Sequence, residues 1–177
     1  MLVTNDDSLA ATGKLLRNYG KPEPWGSCSV QFGMNWRLNE LTAIVGISQL
    51  KRLDEIIERR AAIAETYDRL LSTLPGFFAL QPAERSSWYK YIVLLPSHID
   101  RKHLRDRLVG ANIHLPGGVY DIPLHRQPAL EHLGLGAEFP GAEDFAARHV
   151  CLPIYPGMTY QTVEYIAEQV CREWQPI

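Results

Sequence analysis

The chain has 177 residues, of which 46% are hydrophobic and 21% charged, with a formal net charge of -2. That is enough apolar material for a sizeable core without disulfide or metal staples. The charge balance gives no basis for nucleic-acid binding, because the basic runs Arg59-Arg60 and Arg101, Lys102, Arg105, Arg107 have acidic neighbours and fit solvated helix faces. Cys28, Cys151 and Cys171 are an odd set with no framework spacing, which predicts a reducing compartment. No leader pattern and no bilayer-length apolar run are visible, so a soluble cytoplasmic protein without membrane partners is expected.

In chain order, Met1-Leu2-Val3 predicts a short strand and Thr4 to Asp7 a polar turn. Asp7 or Ser8 is expected to cap a helix from Leu9 to Asn18, with Leu9, Leu15 and Leu16 buried and Tyr19-Gly20 closing it. So short an initial strand has no evident partner downstream. Lys21 to Gly33, with Pro22, Pro24, Gly26, Ser27 and Ser29, predicts a surface loop. Trp25 and Trp36 flank it, more simply as packing residues against the long helix or a partner surface than as a stacking platform for a ligand.

From Gly33 a polar motif runs into a long helical pattern ending near Leu74. Leu53, Ile56, Ile57, Ile63, Ala64, Tyr67, Leu70, Leu71 and Leu74 share one stripe at helical spacing, while Glu55, Glu58, Arg59, Glu65, Asp68 and Arg69 face away. Pro75-Gly76 stops the helix. Phe77 to Gln81 predicts a brief strand, and Trp88 to Leu95 a stronger one ended by Pro96. Asp100 caps a helix carrying Leu104, Leu108 and Val109, Gly110 ends it, and Ala111 to His114 is expected to be a further strand. Pro140 opens a helix through Ala142, Phe145 and Ala146. Val150 to Pro153 makes a last strand, and Thr159 caps a final helix burying Tyr160, Val163, Ile166, Ala167 and Val170. Short strands alternating with capped helices predict an α/β fold with helices over a small sheet.

Two polar constellations stand out. Asn35 and Arg37 combine an amide that can donate to a phosphate oxygen with a guanidinium fork suited to carboxylate or phosphate, each charged bond contributing about 1.5 to 3 kcal/mol. The structural alternative is a helix cap and a surface salt bridge. Tyr120 and His125 lie in the loop Gly117 to Pro128, where backbone partners are the alternative to ligand contact. His98, His103, His114, His132 and His149 show no ligand spacing, so no metal site is expected.

The block G-M-N-W-R-L-N-E-L-T-A-I-V-G-I-S-Q-L-K-R-L-D-E-I-I-E-R-R resembles the sugar aminotransferases of the DegT/StrS type, fold-type I enzymes that use pyridoxal phosphate. Gly33, Asn35, Arg37, Glu40, Ala43, Gly46, Gln49, Leu50 and Arg59 match that family's pattern at fixed offsets. Tyr120-x-x-Pro123-x-His125-x-Gln127-Pro128 is similar to the family's loop bordering the sugar site. Phe139 to Glu143 and Leu152 to Pro156 match further signatures, extending the likeness from residue 1 to about 174.

The resemblance implies the small C-terminal domain of a fold-type I aminotransferase. Residues 1–33 would be the remnant end of a large domain, 34–74 the motif and long linking helix, and 75–177 the small α/β domain. In the family, Asn35 would reach the neighbour's cofactor phosphate, a cofactor-binding role. Arg37 would meet the amino-donor carboxylate or the substrate, and Tyr120 and His125 would also be substrate-binding. Met1 to Asp6 looks like the strand that follows the Schiff-base lysine, placing that lysine before residue 1. Lys14, Lys21, Lys51, Lys90 and Lys102 do not stand where it would. The aspartate of the pyridine nitrogen and the stacking aromatic are likewise expected upstream, so no residue here is assigned as catalytic.

The implied activity moves an amino group from an amino-acid donor to a keto-sugar nucleotide or related cyclic ketone, although some relatives dehydrate instead. This chain would act as a homodimer, or as a heteromer with a lysine-bearing large-domain chain. Three forms are open: half of a split enzyme, a truncated enzyme, or a non-catalytic interaction or ligand-binding module.

Overall fold

A computed structural model of the chain describes residues 2–133 and 138–174. Met1 of the expected first strand and residues 175–177 of the expected last region lie outside that range. The chain divides into two compact units, Met1–Arg52 and Leu53–Ile177.

The first unit holds helices α1 (Asp7–Arg17) and α2 (Glu40–Leu50). Asp6 caps α1, its carboxylate accepting from the amides of Ser8 and Leu9 at 2.8 and 3.0 Å, one residue before the predicted cap. Leu2 to Thr4 is not a strand: extended chain without a paired neighbour has no ladder to join. The expected burial of Leu9 and Leu16 is also overturned, since both are exposed, and Leu15 is only half-buried. Neither α1 nor α2 has a buried residue.

Backbone bonds hold this unit's irregular part. The Met34 amide donates to the Leu16 carbonyl at 2.7 Å, Trp36 to Arg17 at 3.0 Å and Tyr19 to Met34 at 3.0 Å, with Asn18 and Asn35 paired as an antiparallel bridge. Gly20 makes that approach possible. Its φ is +69°, and a Cβ there would lie 1.8 Å from the Gln31 carbonyl oxygen. Trp25 and Trp36, expected to pack, are both exposed in this chain.

The long helical pattern is two helices, α2 and α3 (Leu53–Leu71), separated by a turn at Lys51 and Arg52. The Arg52 amide bonds back only three residues, to Gln49, which tightens and ends α2. Asp54 and Glu55 in the first turn of α3 favour a fresh helix start. The apolar repeat crosses such a short interruption, which is why the pattern looked continuous.

The second unit is built on a three-stranded antiparallel sheet in the order β1 (Phe78–Ala79), β2 (Tyr91–Leu94), β3 (His149–Leu152). Tyr91 faces Leu152 and Val93 faces Val150 across the central pair. Helices α4 (Arg101–Gly110), α5 (Pro140–Arg148) and α6 (Tyr160–Glu173) complete it, with two 3-10 turns at Leu124–Arg126 and Pro128–Leu133. Helix α6 packs against both α3 and α4. Ile63, Ala64, Tyr67 and Leu71 of α3 meet Leu104 and Leu108 of α4, Val163, Ile166, Ala167 and Val170 of α6, and Tyr91 and Val93 of the sheet in one core. Each fully buried aliphatic side chain among them contributes about 1.5 to 3 kcal/mol.

Asp100 and Thr159 cap α4 and α6 as their sequence context predicts, and Pro140 stands in the first turn of α5. Three expectations fail here. Trp88 takes φ +46°, so β2 starts at Tyr91. Ala111 to His114 is not a strand, because Asn112 at φ +59° turns the chain as α4 ends, although Ile113 is buried. Tyr160 is exposed in the first turn of α6, where its hydroxyl accepts a bond from Arg69.

Candidate functional site

Asn35 and Arg37 are brought together in the first unit. Arg37 Nε donates to Asn35 Oδ1 at 3.1 Å, and its guanidinium carbon stands 5.4 Å from the Tyr19 ring centroid. The guanidinium needs an acceptor, so the amide oxygen faces it and Asn35 Nδ2 is left to donate elsewhere. The alternative of a helix cap and salt bridge fails on both counts. Asn39 caps α2, accepting from the Thr42 amide at 2.8 Å, and Arg37 has no carboxylate partner among the described residues. Arg37 lines a cavity of about 590 Å³ with Lys14, Arg17, Lys21 and Trp25, and no acidic residue lines it. Four cations around one hollow make a positive field suited to an anionic ligand.

Tyr120 and His125 are brought together in the second unit, along a separate cavity of about 420 Å³. Its wall is mainly apolar, including Ile122, Leu124, Phe139 and Phe145. His125 is held rigidly: Nε2 is 2.7 Å from Glu143 Oε1, the ring centroid is 4.9 Å from that of Phe139, and the side chain is nearly buried. Arg126 Nε donates to the same Glu143 oxygen at 2.6 Å. The Arg126 bond first, and the His125 bond second, hold the Glu143 carboxyl below the usual glutamate range. The expected alternative for His125, a backbone partner, gives way to this carboxylate. Tyr120 is 75% exposed, and its hydroxyl has no hydrogen-bond partner among the described residues.

Lys14, Arg17 and Lys21 were not predicted as site residues, nor were Glu143 and Phe139. For the last two a signal existed, since both lie in the Phe139 to Glu143 signature, but nothing in the spacing announces the contact with His125. Among the described residues there is no group of three or more His, Cys, Asp or Glu side chains able to hold a metal, and no helix long and apolar enough to cross a membrane.

A small antiparallel sheet under helices, shared with the C-terminal part of fold-type I aminotransferases, places the chain in a class built on pyridoxal phosphate. The chain belongs to the DegT/DnrJ/EryC1/StrS aminotransferase family, whose sequence model matches residues 1–171. Among similar proteins is the erythromycin biosynthesis sensory transduction protein EryC1 of Saccharopolyspora erythraea, 34% identical over 170 residues, covering 93% of this chain and 44% of that protein.

Two solved structures share the fold. Helicobacter pylori PseC, an aminotransferase involved in pseudoaminic acid biosynthesis, superposes with a TM-score of 0.88 at 28% identity, covering 97% of this chain and 47% of that one. S. venezuelae DesV, in complex with a ketimine intermediate, gives 0.84 at 30% identity, covering 99% and 46%. The chain spans about half the length of the curated relatives it matches.

Proposed function

We propose that this chain forms the C-terminal half of a pyridoxal-phosphate-dependent aminotransferase, moving an amino group from an amino-acid donor to a keto-sugar nucleotide or related cyclic ketone. A large domain bearing the lysine completes it, carried on the same longer polypeptide or on a partner, and the assembly is a cytoplasmic dimer. The observation that carries this reading is the Asn35–Arg37 pair, in which the arginine orients the amide and the guanidinium itself lines a cationic hollow.

The donor set fits the phosphate end of the coenzyme and the anionic substrates. Asn35 Nδ2 is free to donate to a phosphate oxygen, and Arg37 offers two parallel N–H groups to the donor's carboxylate. Bound coenzyme supplies the electron sink that amino transfer needs. On the sugar side, the Tyr120 hydroxyl can donate to a sugar oxygen, while His125, fixed by Glu143 and Phe139, shapes the wall. The surface of α2 supports the need for a covering domain. Leu41, Ile44, Val45, Ile47 and Leu50 are all more than half exposed, and a helix apolar on nearly every side is a helix meant for burial.

The purified chain mixed with pyridoxal phosphate and reduced with borohydride is expected to stay unlabelled, and transamination is expected only after addition of a lysine-bearing large domain. Coenzyme fixed to Lys14, Lys21, Lys51, Lys90 or Lys102 would refute the reading. A second reading, a non-catalytic ligand-binding or interaction module, draws support from the sensory-transduction name of EryC1. Inactivity with every lysine-bearing partner, together with retained binding of a sugar nucleotide, would favour it.

A further inference from the structure

His149 opens β3 and is almost completely buried, with 1% of its surface exposed. Its ring lies flat on Phe145, the centroids 4.5 Å apart and the planes 4° from parallel. Both nitrogens are engaged. Nδ1 is 2.7 Å from the Phe145 carbonyl oxygen, which can only accept, so Nδ1 carries the proton. Nε2 is then the acceptor for the Val119 amide at 2.8 Å. One neutral tautomer satisfies both neighbours, whereas the charged ring would set one N–H against another.

The same loop is tied down on either side of that bond. Lys90 Nζ donates to the Gly117 carbonyl at 3.0 Å, and Asp121 Oδ1 accepts from Arg101 Nη1 at 3.0 Å. Gly118 passes so close that a Cβ would lie 2.6 Å from His149 Nε2 and 2.5 Å from Asp121 Oδ1. The charged groups facing the imidazole are Asp121 from the loop and Arg105 from α4. Arg101 bonds Asp121 and the Ala146 carbonyl of α5, and Lys90 bonds the Gly117 carbonyl. The residue after Val119 is Tyr120, the exposed phenol on the rim of the apolar cavity.

We infer that His149, neutral and protonated on Nδ1, is a positioning residue that fixes the Gly117 to Asp121 loop and so sets where Tyr120 stands. What Tyr120 meets there rests on the functional reading above; the anchoring of its loop does not. The sequence gives His149 no role beyond a place among histidines without metal-ligand spacing, and spacing could not reveal a partner thirty residues away.

Nitrogen-detected NMR of the full chain at neutral pH tests this directly. The expected result is a His149 ring protonated on Nδ1 and bare on Nε2, with slow exchange of the Val119 amide. His149→Phe keeps the stack on Phe145 and removes the acceptor, so Val119 exchange should rise about tenfold relative to the amides of β2, the factor expected for one lost hydrogen bond. His149→Gln, which retains an acceptor, should recover much of the protection. A proton on Nε2 in the wild-type ring, or Val119 protection unchanged in His149→Phe, overturns the inference. Should His149→Phe fail to fold, the wild-type tautomer and the His149→Gln exchange rates decide alone. In the completed enzyme, a Tyr120→Phe variant with unaltered KM for the keto-sugar would count against the functional reading, while the NMR result stands or falls separately.

Discussion

Alkaline titration tests whether Tyr67 and Tyr91 form the centre of the second unit. Both rings are fully buried, with centroids 5.0 Å apart. Tyr67 donates its hydroxyl to the Pro153 carbonyl at 3.0 Å, and Tyr91 donates to Asp68 Oδ1 at 2.5 Å. Burial is the main cause that raises both phenols above their ordinary value of 10.0; the Asp68 carboxylate adds to it for Tyr91 and Tyr155 adds for Tyr67. In the unfolded chain each phenol ionises near pH 10. A group whose folded pKa is raised contributes its full stability below the unfolded value and loses it as pH climbs, because only the unfolded chain releases the proton. At pH 11, one unit above the unfolded pKa, each phenol therefore costs about 1.4 kcal/mol and the pair about 2.8 kcal/mol.

Other groups titrate in this range, Cys151 among them, its thiol also pushed up by burial. The comparison must therefore be between chains. Urea unfolding at pH 9 and pH 11 should show the wild type losing about 2.8 kcal/mol more over that interval than the double variant Tyr67→Phe, Tyr91→Phe, which keeps both rings and has no phenol to ionise. The double variant starts lower at pH 9, since Asp68 loses a charged hydrogen bond. If the two chains lose the same stability to within about 0.5 kcal/mol, the two hydroxyls are not shielded and the description of the core is wrong.

Further outcomes follow from single contacts. Because the Glu143 carboxyl is depressed by Arg126 and then His125, its contacts are present above the ordinary glutamate pKa and lost only as pH falls through the lowered folded value. Nuclear Overhauser contacts between His125 and Phe139 should accordingly persist from neutrality to below about pH 4.3, and their loss near pH 6 would contradict the geometry. Cys28 is exposed, Cys171 half-buried and Cys151 buried, with the latter two thiols raised by burial, so a thiol reagent at neutral pH should react fast with Cys28, more slowly with Cys171 and slowest with Cys151. Three equal rates would refute that. Gly20→Ala places a Cβ against the Gln31 carbonyl at a positive φ. Exchange of the Met34 and Trp36 amides should accelerate while the urea transition of the second unit stays put, and unchanged exchange at both would show that the close approach is not needed.

The second unit was largely legible because its signals are local. Asp100, Pro140 and Thr159 mark helix starts by chemistry that acts within one turn, and the stripe from Ile63 to Leu71 names a buried face directly. The failures share one cause. Leu9 and Leu16 were expected inside because periodicity tells which side of a helix is apolar, and it does not tell what covers that side. Ala111 to His114 has strand-like composition, but the turn at Asn112 is a tertiary choice made where α4 ends. In the candidate site, Asn35, Arg37, Tyr120 and His125 are proposed through a family pattern. Their partners are not, since Glu143 lies eighteen residues beyond His125 and reaches it only after the chain folds.

The two units differ in how far each explains itself. Residues from Leu53 onward enclose a core of aromatic and aliphatic side chains, and the Tyr120–His125 wall is fixed by bonds made inside that unit. The first unit contains no comparable core, and its backbone pairing around Asn18 and Asn35 is its main internal bracing. A helix apolar on nearly every side is costly in water through its exposed hydrocarbon, whereas the exposed Arg37, with no carboxylate partner among the described residues, is solvated and costs little. A covering protein surface would remove the cost of the exposed hydrocarbon. The shorter unit, Met1–Arg52, is therefore the part of the chain that is poorest as an isolated body.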